Sequence, residues 1–145
     1  MLYKFVRLAM IAVLALLPVL VIGCAGEEIY SSKLLKDVKL SSQLDERFQP
    51  VAARTVFQSD VEKIYCSFTA SGVPVGSEIA ARWVYVGQGS IDDAYIIDQF
   101  IQTKMEETRM AMFLLRPVEG WQKGDYWVAL FIDQQPELQI SFTIK

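Results

Sequence analysis

Leu138-Gln139-Ile140-Ser141-Phe142-Thr143-Ile144 alternates apolar and polar residues without a break, the period of two that a strand needs when one face lies in a core and the other in water. Leu138, Ile140, Phe142 and Ile144 point one way; Gln139, Ser141 and Thr143 point the other. Lys63-Ile64-Tyr65-Cys66-Ser67-Phe68-Thr69 reads the same way, with Ile64, Cys66 and Phe68 facing inward. Outward from these two runs, short stretches rich in Val, Ile, Phe, Tyr and Trp alternate with clusters of Gly, Pro, Asp and Ser. Strands are predicted at residues 38–42, 55–57, 61–70, 78–86, 94–103, 109–116, 126–133 and 138–144. Turns are predicted at Gly72-Val73-Pro74-Val75-Gly76, Gly87-Gln88-Gly89, residues 117–124 and Gln134-Gln135-Pro136. Residues 102–108, QTKMEET, suit either a helical turn or a polar loop. The punctuation is that of an all-β antiparallel sandwich of about seven to eight strands.

The beginning of the 145-residue chain does not belong to that pattern. Lys4 and Arg7 precede an apolar run over residues 8–23 that is interrupted by Pro18 and ends in Val21-Ile22-Gly23-Cys24. A positive start, an apolar middle and a small residue before the cut make a signal peptide. Much of the 52% hydrophobic content and of the mean hydropathy of +0.27 lies there. The ending resembles the lipobox of bacterial lipoproteins, with a branched residue at Val21, a small one at Gly23 and the cysteine at Cys24. Ile22 is bulkier than usual at its place. The resemblance implies that residues 1–23 are removed and that Cys24 carries a diacylglycerol thioether, with the new amino terminus open to a further acyl chain. One chain binds a membrane marginally, and two or three hold it durably. The competing reading is an uncleaved membrane helix. Its apolar run of roughly 16–18 residues falls short of the ~20 that span a bilayer, and Pro18 weakens it further.

The leader contains Lys4 and Arg7 but no acidic residue, so the mature chain is more acidic than the formal net charge of −3. That balance argues against nucleic-acid binding. Histidine is absent, which removes the commonest general base, zinc ligand and pH switch. With Cys24 lipidated, Cys66 has no intramolecular partner and is expected in the core as a small hydrophobe. The expected organisation is a leader over residues 1–23, the lipidated cysteine and a tether over 24–36, and a sandwich over 37–145.

Cys66 on one strand, Trp83 on the next and Gly124-Asp125-Tyr126-Trp127-Val128 on a late strand fall in an order that resembles the immunoglobulin-like fold. The resemblance implies that Tyr126 forms the tyrosine corner, that Trp83 is the core tryptophan and that Cys66 stands at the first bridge position. Val128 occupies the place of the second cysteine, so the bridge is absent. Arg116-Pro117 followed by Gly120-Trp121-Gln122-Lys123-Gly124-Asp125-Tyr126 also resembles a turn of small uncharacterised bacterial lipoprotein domains, which have no established activity.

If Trp83, Tyr126, Val128, Leu130 and Ile132 face inward, then Arg82, Val84, Val86, Trp127, Ala129 and Phe131 face outward. In an immunoglobulin-like arrangement those two strands are neighbours, so Arg82, Val84, Val86, Trp127 and Phe131 form a candidate partner-binding patch. The alternative is that the tether, or the loop at residues 87–94, folds over this face and makes it a second small core. Met110 to Leu115, apolar on both faces, reads as a central strand or as a methionine-lined groove. Asp92, Asp93 and Asp98 match no calcium-loop spacing, and with Glu106-Glu107 and Glu27-Glu28 they read as solvated acids. Gly87-Gln88-Gly89 lacks the third glycine of a dinucleotide loop. No catalytic residue, metal site or cofactor is expected. The sequence thus points to a lipid-anchored, extracytoplasmic binding or accessory module that contacts a protein or another cell-envelope component. The alternatives are a structural envelope lipoprotein without a ligand and a small hydrolase.

Overall fold

The computed structural model describes residues 32–87 and 94–145. The leader with Val21, Ile22 and Gly23, the candidate lipidation site Cys24, the tether through Ser31 with Glu27-Glu28, and residues 88–93, which hold the Gln88-Gly89 turn, most of the loop read as a possible cover, and Asp92 and Asp93, lie outside the described residues. Every regular element among the described residues is a strand. In chain order these are β1 (Lys36–Ser41), β2 (Gln43–Leu44), β3 (Pro50–Val51), β4 (Val56–Phe57), β5 (Lys63–Thr69), β6 (Glu78–Gly87), β7 (Tyr95–Thr103), β8 (Arg109–Leu115), β9 (Gly124–Ile132) and β10 (Gln135–Ile144).

They form a three-stranded sheet ordered β1-β5-β8, a five-stranded sheet ordered β4-β10-β9-β6-β7, and a small β2-β3 hairpin. Neighbours are antiparallel except for β4 and β10, which run parallel with Thr143 opposite Val56 and Ile144 opposite Phe57. The core is what the period-two reading requires. Ile64, Cys66 and Phe68 of β5 and Met110, Met112 and Leu114 of β8 face Ile79, Ala81 and Trp83 of β6, Tyr126, Val128, Leu130 and Ile132 of β9, and Leu138, Phe142 and Ile144 of β10. Phe142 sits at an aromatic junction, with Phe57 and Trp83 edge-on at 6.0 Å and Tyr126 stacked at 5.1 Å.

Several expectations are corrected. The last hairpin turns at Asp133-Gln134, both at positive φ (47° and 68°), so Gln135 and Pro136 already belong to β10. A two-residue loop with both residues left-handed matches the strand twist even without glycine. Met110 to Leu115 lies at the edge of its sheet, beside β5, and not at its centre. Its methionines are buried (6% and 0% exposed), and Met110 borders a surface cavity together with Met105 and Phe48. Residues 104–108 form a loop tied to the turn after β5, with Gly76 N donating to Lys104 O at 2.8 Å and Lys104 N to Ser77 O at 2.7 Å. Leu35, inside the stretch read as tether, is a core residue at 2% exposure, so packing begins before residue 37.

Candidate functional site

The register of the five-stranded sheet places its outward residues in three cross-strand rows. Ile96, Val84, Trp127 and Ser141 make the first row, Gln99, Arg82, Ala129 and Gln139 the second, and Ile101, Ala80, Phe131 and Pro136 the third. Two apolar rows therefore flank a polar one. The Arg82 guanidinium crosses between them, lying 4.6 Å from the Phe131 ring centre while its Nε donates to Gln99 Oε1 at 3.4 Å. Ile96 and Ile101 stand 56% and 52% exposed, and Trp127 and Phe131 are half-buried. Trp127, Ala129, Phe131, Pro136 and Leu138 border a shallow cavity of about 290 Å³.

Arg82, Val84, Val86, Trp127 and Phe131 thus come together on one face, with Val84 buried (3%) as filler between larger neighbours. Sequence reasoning missed Ile96, Gln99 and Ile101. A register shift opposite Trp83 and Val84, which pair with Asp98 and Ile96, changes the phase of β7 at Ile97. A bulge of that kind breaks period-two alternation.

A polar patch on the outer face of the three-stranded sheet is closed by the chain itself. The segment joining β2 to β3 lies over β5, and Ser67 Oγ donates to Phe48 O at 2.8 Å. Arg109 donates to Asp37 Oδ2 at 2.7 Å, to Ser67 Oγ and Thr69 Oγ1 at 3.1 Å, and to Phe48 O at 3.3 Å. The Arg109 hydrogen bond, reinforced by Lys39, holds the Asp37 carboxyl below its ordinary value. Ser41 and Ser67 are fully buried as a result.

The remaining candidates serve the fold. Cys66 is fully buried, and desolvation pushes its thiol up to about 12, so it stays neutral and a poor nucleophile. Tyr126 Oη donates to Gln122 O at 2.5 Å, the upstream backbone contact of a tyrosine corner. Desolvation also raises the Tyr126 phenol. Trp121 Nε1 closes the same end by donating to Val61 O at 2.6 Å. Among the described residues no three His, Cys, Asp or Glu side chains gather where they could hold a metal. Asp98 Oδ1 accepts from Gln99 N, and Glu106 and Glu107 are exposed.

Two antiparallel sheets packed face to face, with a tryptophan on β6 against the core and a tyrosine corner at the start of β9, define an immunoglobulin-like β-sandwich. The chain is similar to an immunoglobulin-like protein from Pseudomonas aeruginosa, with a TM-score of 0.52 and 16% identity over 83% of this chain and 99% of that one. An alkylpurine DNA glycosylase from Pseudomonas fluorescens overlaps 77% of this chain and 30% of its own length at a TM-score of 0.46 and 11% identity, a likeness too distant to carry an argument. No family model matches the chain, and no curated protein matches it in sequence.

Proposed function

We propose that this protein is a lipid-anchored, extracytoplasmic binding module of the bacterial cell envelope, whose partner seats on the outer face of the five-stranded sheet. One observation carries the reading: the two apolar rows that hold Trp127 and Phe131 and begin at Ile96 and Ile101, both about half exposed. Aromatic anchors beside an arginine are the chemistry on which binding energy concentrates. Stacking on Phe131 holds Arg82 in one geometry before a partner arrives, which lowers the ordering cost of association.

A binding role suits the chain better than catalysis. It lacks histidine, and its described thiol and its most perturbed phenol are committed to the core. Lipid on Cys24, after the Val21-Ile22-Gly23 recognition sequence, supports the location. The partner is a protein or another envelope component.

The test is photocrosslinking in intact cells from a photoreactive residue replacing Trp127, with the same residue at Lys63 on the opposite face as control. A discrete product at 127 that is absent at 63 supports the reading, and background at both sites overturns it. Replacing Cys24 with serine should abolish processing and membrane retention. Unchanged processing would remove the anchor.

A further inference from the structure

We infer that the domain stands on the bilayer through an apolar tip formed by Val75 and Met105, so that the binding face is held upright beside the membrane. This rests on the lipid-anchor reading and adds an orientation to it.

The first described residues fix which end of the sandwich lies nearest the lipid. Ser32 Oγ donates to Glu137 Oε2 at 2.7 Å, beside the β9–β10 turn. Leu34 lies against Gly72, and Leu35 enters the core. The same end holds the β5–β6 turn, the loop at 104–108 and the Asp133 turn. They are joined through Gly76 N to Lys104 O, Lys104 N to Ser77 O, and Asp133 N to Glu78 O. Even fully extended, the backbone from Cys24 to Ser32 reaches only about 26–29 Å. A lipid on Cys24 therefore keeps this end close to the headgroups.

Two apolar side chains sit at that end without a core reason. Val75 is 64% exposed and Met105 is 59% exposed, on loops tied together by the two hydrogen bonds through Lys104. The Lys104 side chain is buried (3%) and its ammonium donates to the Met105 carbonyl, which holds that charge beneath the tip and off its outer surface. Phe48, 54% exposed, borders the same cavity as Met105. Surrounding charge is mixed, with Lys33, Lys36, Glu106 and Glu107 all exposed. The occupant is therefore the acyl boundary of a bilayer, engaged by apolar contact. Once the lipid is inserted, the encounter is intramolecular, so a small contact suffices.

The opposite end supplies a matched control. Val118, in the β8–β9 connection, is fully exposed and equally apolar. The full-length lipidated chain carrying Val75→Cys, Met105→Cys or Val118→Cys is labelled with a polarity-sensitive fluorophore. It is then reconstituted into vesicles of phosphatidylethanolamine and phosphatidylglycerol that contain a lipid-borne quencher. Cys66 is buried and does not compete for label. Labels at 75 and 105 should be quenched several-fold more than the label at 118, with little change in high salt. Equal quenching at all three sites while the protein still floats with the vesicles overturns the orientation alone. Failure to float overturns the anchor and the orientation together.

Discussion

On the outer face of the three-stranded sheet the chain covers a polar patch, while Tyr65 and Phe113 stay half-buried and Leu115 is 54% exposed beside it. Ser41 and Ser67 disappear beneath the β2–β3 segment, and Arg109 fastens Asp37, Ser67, Thr69 and the Phe48 carbonyl in one span. Next to that cover, Tyr65 and Phe113 meet edge to face at 6.1 Å with the Lys63 ammonium over both rings. On the outer face of the five-stranded sheet the rows are apolar, yet Ile96 and Ile101 stay about half exposed. Hydrophobic burial would favour covering the second face before the first. Among the described residues the polar patch is the part closed, by directional hydrogen bonds, while Ile96 and Ile101 stay exposed, and the proposed partner-binding role rests on that contrast.

The sharpest way to break this comparison is to ask whether Trp127 behaves like Trp83. Trp83 is fully buried and packs edge-on against Phe142, so Trp83→Ala should cost about 3–5 kcal/mol in denaturant unfolding. Next in size is the closed face. Arg109→Ala removes charged hydrogen bonds from Ser67 and from the Phe48 carbonyl, with an expected loss of about 1.5–3 kcal/mol. Hydrogen exchange should then accelerate across residues 42–51 and leave β6 and β9 protected. Trp127→Glu should change stability by less than about 1 kcal/mol while abolishing capture by a photoreactive residue placed instead at Ile101 on the open face. A loss on the scale of Trp83→Ala would place Trp127 in a core and end the distinction. The smallest effect is acid sensitivity. Because Asp37 titrates below its ordinary 3.8 in the folded protein, its contribution is present above that value and fades as pH falls through the lower folded one. Exchange at 42–51 should rise in that acid range, with no matching change around Trp127.

The strands were legible where alternation is long and unbroken. β5, β9 and β10 lie within a few residues of their expected spans, as do β1, β4, β6, β7 and β8, which turn residues delimit, and Trp83 and Tyr126 occupy their expected places. The covering hairpin was not legible. Two-residue strands such as Gln43–Leu44 and Pro50–Val51 carry no period, and Arg109 reads in sequence as an ordinary strand-start charge. Half of the candidate face was found, because Arg82, Trp127 and Phe131 lie where β6 and β9 pair in unbroken register from Ile79 to Tyr85. The β7 half was hidden by the register shift at Ile97. Val75 and Met105 lie in stretches that read only as turn and loop, since pairing between two loops leaves no mark in either.

The parallel pairing of β4 with β10 has a consequence for the order of assembly. Lys145 N donates to Phe57 O, and Ser59 N to Lys145 O, both at 3.0 Å, so the final residues are woven between β9 and a segment nearly ninety positions earlier. A chain emerging vectorially, whether from a ribosome or a translocation pore, holds β9 with an unsatisfied edge until residues 138–145 follow. Loop closure over that separation is slow. β10 reaches β9 through a two-residue turn, so that edge is satisfied locally, and the long closure is left to the short pairing of Thr143 and Ile144 with β4.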